Sequence, residues 1–159
     1  MGPHLVRHLV YKGHHCRCLV RDDGKGKPLA ELGAEIVQGD ITLPETLERI
    51  GTDMDRLLHL ATLGHASNFT VTSEMFEQVN VQGTLNIMRE ALRAGIPRVV
   101  HCSSVAALGI ADEVPATELS ACQPHHPYGK SKLKAEEEVK RLVKEQGLPA
   151  SIIRFSMVY

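Results

Sequence analysis

The chain has almost no net charge: 18 lysines and arginines face 19 aspartates and glutamates, for a formal −1. It has no basic tail or stripe of the kind that follows a phosphate backbone, so nucleic acid is not expected as a partner. Long hydrophobic runs are missing as well. Nothing approaches the ~20 apolar residues of a membrane span, and the opening MGPHLVRHLV lacks the apolar core of a secretory signal. No membrane partner is therefore expected, and the expected compartment is the cytoplasm. Cysteine is sparse and forms no framework. Cys16 and Cys18 would point to one face of a strand, a poor disulfide geometry, and with Cys102 and Cys122 they are expected as free thiols. Of the nine histidines, the His14-His15 and His125-His126 pairs have no acidic or cysteine ligand at a regular spacing, so no metal site is expected.

What is present is 159 residues, 43% of them hydrophobic, enough for one domain over 1–159 with its own core. The period of the apolar pattern switches repeatedly. Leu5, Val6, Leu9 and Val10 repeat at helical spacing and stop at Gly13. HHCRCLV (14–20) reads as a strand, KPLAELG (27–33) as a helix, AEIVQGD (34–40) as a strand and LPETLERIG (43–51) as a helix with Pro44 in its first turn. DRLLHLA (55–61) is the next strand, followed by a long helix from 72 to 94 and the strand RVVHCSS (98–104). A helix from Tyr128 to Gly147 and a strand ASIIRFSMVY (150–159) complete the chain. Such alternation predicts a doubly wound α/β fold, a parallel sheet with helices on both faces. Ligands then bind beyond the carboxyl ends of the strands. The residues to watch there are Arg21, Asp40, Ala61-Thr62, Ser103-Ser104 and Phe155-Ser156.

In PYGKSK (127–132), Tyr128 and Lys132 stand four apart at the start of the amphipathic run LKAEEEVKRLVKEQG. Residues at that spacing share a helix face. A neighbouring cation favours a phenolate, which would make a tyrosine usable as an acid/base near neutral pH.

Several blocks, in order and at characteristic spacing, resemble the extended short-chain dehydrogenase/reductase superfamily, which contains the NAD-dependent sugar epimerases and dehydratases. GDIT (39–42) resembles the segment that holds the adenine, with Asp40 and Ile41; LLHLAT (57–62) resembles the strand end beside the cofactor's phosphates and ribose, with Leu60, Ala61 and Thr62. NVQGTLNIMREA (80–91) resembles the long-helix signature, VVHCSSVAALG (99–109) the catalytic serine strand, PYGKSKLKAEE (127–137) the Tyr/Lys helix, and IIRFSMVY (152–159) the strand that meets the nicotinamide, with Phe155 and Ser156. The resemblance implies a Rossmann-like NAD(P)-binding domain of an oxidoreductase or isomerase acting on a small-molecule substrate. It makes Tyr128 the acid/base, Lys132 the residue that lowers the tyrosine's pKa and bonds the nicotinamide ribose, and Ser104 the residue that orients the substrate oxygen. Without those partners Ser104 would read as a strand-end serine capping a turn. Asn80 falls beside the cofactor by the resemblance, although an asparagine inside a helix ordinarily bonds locally or through water. Relatives often dimerise through the two long helices, here 72–94 and 128–146, and exposed apolar residues on them would be the sign.

Two departures narrow the reaction. Dehydratases of this superfamily carry an Asp-Glu pair after the catalytic hydroxyl residue, where this chain has Val105 and Ala106. Epimerase or dehydrogenase/reductase chemistry remains, on a secondary hydroxyl or keto group. After the second family strand, NAD users place an acidic residue for the ribose hydroxyl, whereas Arg21 stands here with Lys25 and Lys27 in a Gly-containing loop. An arginine there can pair with a 2′-phosphate, so NADP(H) is expected over NAD(H), with Asp22 as the residue that could still serve NAD.

The opening Met1-Gly2-Pro3-His4-Leu5 resembles the last glycine of the family's glycine-rich turn and the helix after it. The first strand has no counterpart, nor has the smaller substrate lobe that follows in relatives. The expectation is a partial domain that binds cofactor poorly and is marginally stable, with two strands flanking an apolar slot. The alternatives are a non-catalytic NADP-binding or scaffold protein of the same fold, or an inactive truncated product.

Overall fold

Pro3 near the start and Gly13 beyond the end bracket the first helix, α1 (Gly2–Tyr11), in a computed structural model that describes residues 1–64, 71–110 and 115–158. Gly13 takes φ +82°, a left-handed turn open to a residue without a Cβ. There follow β1 (Arg17–Val20), α2 (Asp23–Glu31), β2 (Glu35–Gln38), a 3-10 turn at Pro44–Leu47, and β3 (Leu57–His59). A continuous helical run holds α3 (Ser73–Phe76), a π-helical stretch (Glu77–Gln82) and α4 (Gly83–Arg93). The remainder is β4 (Val99–Ser104), a 3-10 turn (Val105–Ala107), α5 (Pro127–Gln146) and β5 (Ala150–Phe155). Tyr159, expected as the end of the last strand, lies outside the described residues.

Several boundaries differ from expectation, and the strands expected over 34–40 and 150–159 shorten to Glu35–Gln38 and Ala150–Phe155. The helix expected over 43–51 is a single turn, because Glu48 leaves helical backbone (ψ 129°) and Arg49 adopts a left-handed φ of 64° that a helix cannot carry. The helix expected from residue 27 begins at Asp23, because the Asp22 side chain accepts the Gly24 N–H at 2.7 Å and caps it early. Lys25 and Lys27 therefore sit on a helix, not in a loop. The strands expected over 14–20 and 55–61 shorten to Arg17–Val20 and Leu57–His59, the segments that find parallel partners.

The parallel pairings form two sheets, β1-β2 and β3-β4-β5. Among the described residues β1 and β3 share no ladder. A cleft of about 710 Å³ lies between them, lined by α1 (Leu5, Val6, Leu9), β1 (Cys18, Leu19) and β3 (Leu57, Leu58). The apolar slot expected from the sequence is thus open, and β1 and β3 do not close over it. Arg17 spans from one sheet to the approach to the other: Nε donates to Glu35 Oε1 at 2.9 Å, and Nη1 donates to the Ile50 and Thr52 carbonyls at 3.1 and 2.8 Å.

The main core lies where α4 and α5 cover one face of the three-stranded sheet, with Leu85, Met88, Ala91, Val99, Val139, Leu142 and Leu148 buried together. Alternation along β4 puts Val99, His101 and Ser103 on this face. A smaller cluster of Ile41, Leu47 and Ile87, with Leu19 and Leu57 against it, joins the two halves. No described helix is long and apolar enough to cross a membrane.

Candidate active site

Because the strands are parallel, their carboxyl ends share one edge, and the expected residues collect there. Arg21 follows β1, Asp40 follows β2, Leu60 to Thr62 follow β3, Ser104 ends β4, and Phe155 and Ser156 end β5. Gly2, Arg21, Asp40, Ile41, Leu60, Ala61 and Thr62 line the cleft; Asn80, Ser104, Tyr128, Lys132, Phe155 and Ser156 lie outside its lining. A Cβ on Gly2 would meet nothing within 4 Å, so packing inside this chain does not demand glycine there.

At the rim, Asp40 Oδ1 accepts from the Thr42 N–H and hydroxyl, both at 2.8 Å, while Oδ2 stands 3.9 Å from Arg21 Nη1. The Arg21 side chain is 67% exposed, so this loose pair leaves its donors available to an anion. Asp22 is spent as the cap of α2. Ile41 is buried in the smaller core cluster, and its carbonyl accepts from Asn86 Nδ2 at 2.9 Å.

The Tyr128 turn is docked onto the end of β4. Pro127 opens α5, and Gly147 closes it with φ +69°. Gly129, Lys132, Glu136 and Val139 are buried at spacings of three and four, the face toward the sheet. A Cβ on Gly129 would stand 2.3 Å from the Ala106 carbonyl oxygen, so α5 rides directly on the turn after Ser104. Tyr128 packs edge-on against Phe76 with ring centroids 5.9 Å apart. Lys132 is 2% exposed, and its Nζ donates to the Cys102 carbonyl at 2.9 Å. Burial pushes its ammonium down to about 8 from 10.5, against the pull of Cys102 and Glu136. Ser104 Oγ accepts the Ala106 N–H at 3.2 Å, the turn-capping role that a strand-end serine ordinarily takes.

Beneath the turn lies a charged cluster of which sequence reading singled out Ser103 alone. Glu136 is fully buried; it receives the Ser103 hydroxyl at 2.6 Å and a two-pronged contact from Arg154, Nη2 to Oε2 at 2.6 Å and Nε to Oε1 at 2.9 Å. Burial alone would raise its carboxyl, but the hydrogen bonds from Arg154 and Ser103 outweigh that and hold it below the usual range. The signal was a glutamate four residues after Lys132, on the buried stripe of α5.

Two histidines stack at the same level, His59 and His101, with centroids 5.4 Å apart. Thr84 Oγ1 gives its one hydrogen to the Asn80 carbonyl at 2.7 Å, so at 2.9 Å from His59 Nε2 it must accept, which assigns the hydrogen of His59 to Nε2. Neither ring nitrogen of His101 has a partner among the described residues. Burial holds both rings near a pKa of about 3, reinforced by Lys132. All four cysteines are free. Among the described residues, Val143 is the exposed large apolar side chain on the two long helices.

Parallel strands with flanking helices define a Rossmann-like fold, and the cleft between β1 and β3 reaches their carboxyl edge. The sequence profile of the NAD dependent epimerase/dehydratase family matches residues 1–159, and the chain belongs to that family. Sterol demethylase protein B of Methylococcus capsulatus is 32% identical over 156 residues, 96% of this chain and 47% of that protein. The crystal structure of gox2253 superposes with a TM-score of 0.82 at 38% identity, covering 96% of this chain and 47% of its own. DesIV, a dTDP-glucose 4,6-dehydratase from Streptomyces venezuelae solved with NAD and TYD bound, gives a TM-score of 0.84 at 27% identity, covering 96% and 51%. The chain spans about half the length of these relatives.

Proposed function

We propose that this chain is the cofactor-binding part of an NADP(H)-preferring oxidoreductase or epimerase that acts on a secondary hydroxyl or keto group of a small molecule such as a sugar nucleotide. The observation that carries the reading is the docking of the Tyr128–Lys132 turn onto the Ser104 end of β4, at the same sheet edge where the cleft opens. Gly129 against Ala106 and Lys132 against Cys102 bring the start of α5 onto the end of β4 and the turn that follows it.

The carboxyl end of the cleft gathers the residues for a nicotinamide dinucleotide, with Asp40 and Ile41 for the adenine end, Leu60, Ala61 and Thr62 along its wall and Gly2 at the start of α1, while the rest of it is the apolar slot between β1 and β3. When bound, the nicotinamide accepts or delivers hydride. Tyr128 exchanges a proton at its phenol oxygen with the substrate oxygen, and Ser104 orients that oxygen by hydrogen bonding. Lys132 holds a cation one turn from the phenol, and its burial keeps water from screening that charge. Arg21 favours the 2′-phosphate: its guanidinium is exposed at the rim, and the nearby acid, Asp22, caps α2. Val105 and Ala106 supply no carboxyl for elimination, which speaks against sugar dehydration.

A non-catalytic reading finds support in one observation: Ser104 Oγ and Lys132 Nζ both spend a bond on backbone groups. Turnover separates the two. The chain with NADP and a panel of sugar nucleotides and secondary alcohols is expected to change nicotinamide absorbance or interconvert epimers, and Tyr128→Phe to abolish this. Turnover unchanged in Tyr128→Phe would overturn the reading; cofactor binding without any turnover would favour the non-catalytic one.

A further inference from the structure

Ser104 at the end of β4 stands in register with Phe155 at the end of β5. The two chains that leave these residues, 105–110 and 156–158, therefore emerge from neighbouring strands at the carboxyl edge, beside the turn that carries Tyr128. The first of them is braced from both sides. Gln123 donates its N–H to the Leu108 carbonyl at 2.8 Å, and a Cβ on Gly109, at φ +77°, would collide with the Gln123 carbonyl. From the other side Gly129 of α5 rides on Ala106. Ser104 Oγ accepts the Ala106 N–H, which leaves its own hydrogen for a substrate oxygen.

Large apolar side chains gather at this edge. Val105 is 45% exposed, Ile110 75% and Met157 77%, and Val158 is exposed with them. Single exposed apolar residues are ordinary, but these fall on two short segments that leave one pair of strand ends. Cations are absent from the same segments: the sequence holds no lysine or arginine over 105–127 or over 155–158. Arg154, just before, has its guanidinium on buried Glu136 and on Cys122 Sγ at 3.2 Å. Lys132 is buried against the Cys102 carbonyl, and Lys130, two residues from Tyr128, stands round the far side of α5. A diphosphate at this wall would give up hydration without gaining a guanidinium or ammonium partner. An uncharged ring system has the opposite balance, because each contact with these side chains takes apolar surface out of water.

We infer that the substrate of the Ser104–Tyr128 site is an uncharged, largely apolar secondary alcohol or ketone of the alicyclic kind, and that Val105 and Met157 select it over a sugar nucleotide. This names the substrate class of the site proposed above and rests on that proposal. Val105 acts at the closest range. It directly follows the serine that orients the substrate oxygen, so it is the first apolar side chain that the groups beside the reacting carbon encounter. Met157, unbranched and adaptable, serves the ring farther out.

The test is an NMR titration of the whole methyl-labelled chain with two probes, a decalone and UDP-glucose, each with and without NADP. The decalone is expected to shift the Val105, Ile110 and Met157 methyl signals saturably, and UDP-glucose to leave them in place. Val105→Asp, at a half-exposed position, is expected to weaken decalone binding by about tenfold or more, the scale of one lost apolar contact in a pocket. Val143→Asp, toward the other end of α5, should not. Met157→Glu carries the same test should Val105→Asp fail to fold. Tighter binding of UDP-glucose than of the decalone at these methyls would overturn the inference, as would a decalone that fails to bind or that binds folded Val105→Asp as well as wild type. Turnover is read separately. Activity unchanged in Tyr128→Phe would count against the proposed function, whereas the decalone and UDP-glucose shifts decide the preference of the wall whether or not the chain turns over.

Discussion

Gly129 lies so close to Ala106 that a Cβ on the glycine would be 2.3 Å from the alanine's carbonyl oxygen. The obstacle is backbone, which cannot swing aside as a side-chain tip can. Gly129→Ala is expected to push α5 off the turn after Ser104 and to destabilise the chain by about 1–3 kcal/mol, the usual cost of overpacking. A urea melt measures it; an unchanged midpoint would show that the two elements are not held in register by this contact.

Removing one partner of the buried Glu136–Arg154 pair leaves the other charge uncompensated. Glu136→Ala is expected to cost about 3–5 kcal/mol, well above the cost of breaking the surface pair Lys134–Glu77. Equal losses from Glu136→Ala and Glu77→Ala in parallel melts would contradict that ranking.

Acid should unfold the chain earlier than its carboxylates alone would require. His59 and His101 stay neutral in the fold down to about 3 but titrate near 6.5 once unfolded. The unfolded chain thus takes up protons that the fold refuses. The stabilising effect of keeping these rings neutral is complete above 6.5 and is lost as pH falls from there toward 3. Each ring removes about 1.4 kcal/mol per pH unit on the steep part of that fall. Melts at stepwise lower pH should show the slope reduced in His101→Phe, which also removes two unpartnered ring nitrogens.

Lys132 acts with the same sign at the alkaline end. Its folded value of about 8 lies below the 10.5 of the free side chain, so stability rises with pH between those two values, where only the unfolded chain keeps the proton. Lys132→Met is expected to stabilise the chain by a few kcal/mol at neutral pH, through relief of that burial cost, and to flatten the rise above pH 8. It should also abolish turnover. A destabilised variant would mean that the bond from Nζ to the Cys102 carbonyl outweighs the cost of burying the charge.

Most of the architecture was legible because period and punctuation agreed: Pro3 and Gly13 bracket α1, Pro127 and Gly147 bracket α5, and apolar runs mark β4 and β5. The Arg49 and Asp53 backbone conformations were not, since nothing in those residue types demands a left-handed φ. At the site, the spacing of Tyr128 and Lys132 located the docked turn, and strand ends located Arg21, Asp40 and Thr62. Long-range hydrogen bonding was invisible. Asn80 was read as bonding locally or to water, and instead it reaches Leu63 and Ser131 because the π-helical winding turns it inward. Ser103 was legible as a strand-end residue, but its partner Glu136 was not, because charge on a helix reads as solvent-facing until the buried stripe is traced through it.

The most direct test of the account is a fluorescence titration of the folded chain with NADPH and with NADH, for the wild type and Arg21→Ala, preceded by a circular-dichroism melt. The open cleft between β1 and β3 predicts weak but saturable binding, tighter for NADPH. Loss of the charge-assisted bonds from Arg21 should cut the preference by roughly tenfold or more. A folded chain that binds neither cofactor, or that prefers NADH with Arg21 intact, would contradict it.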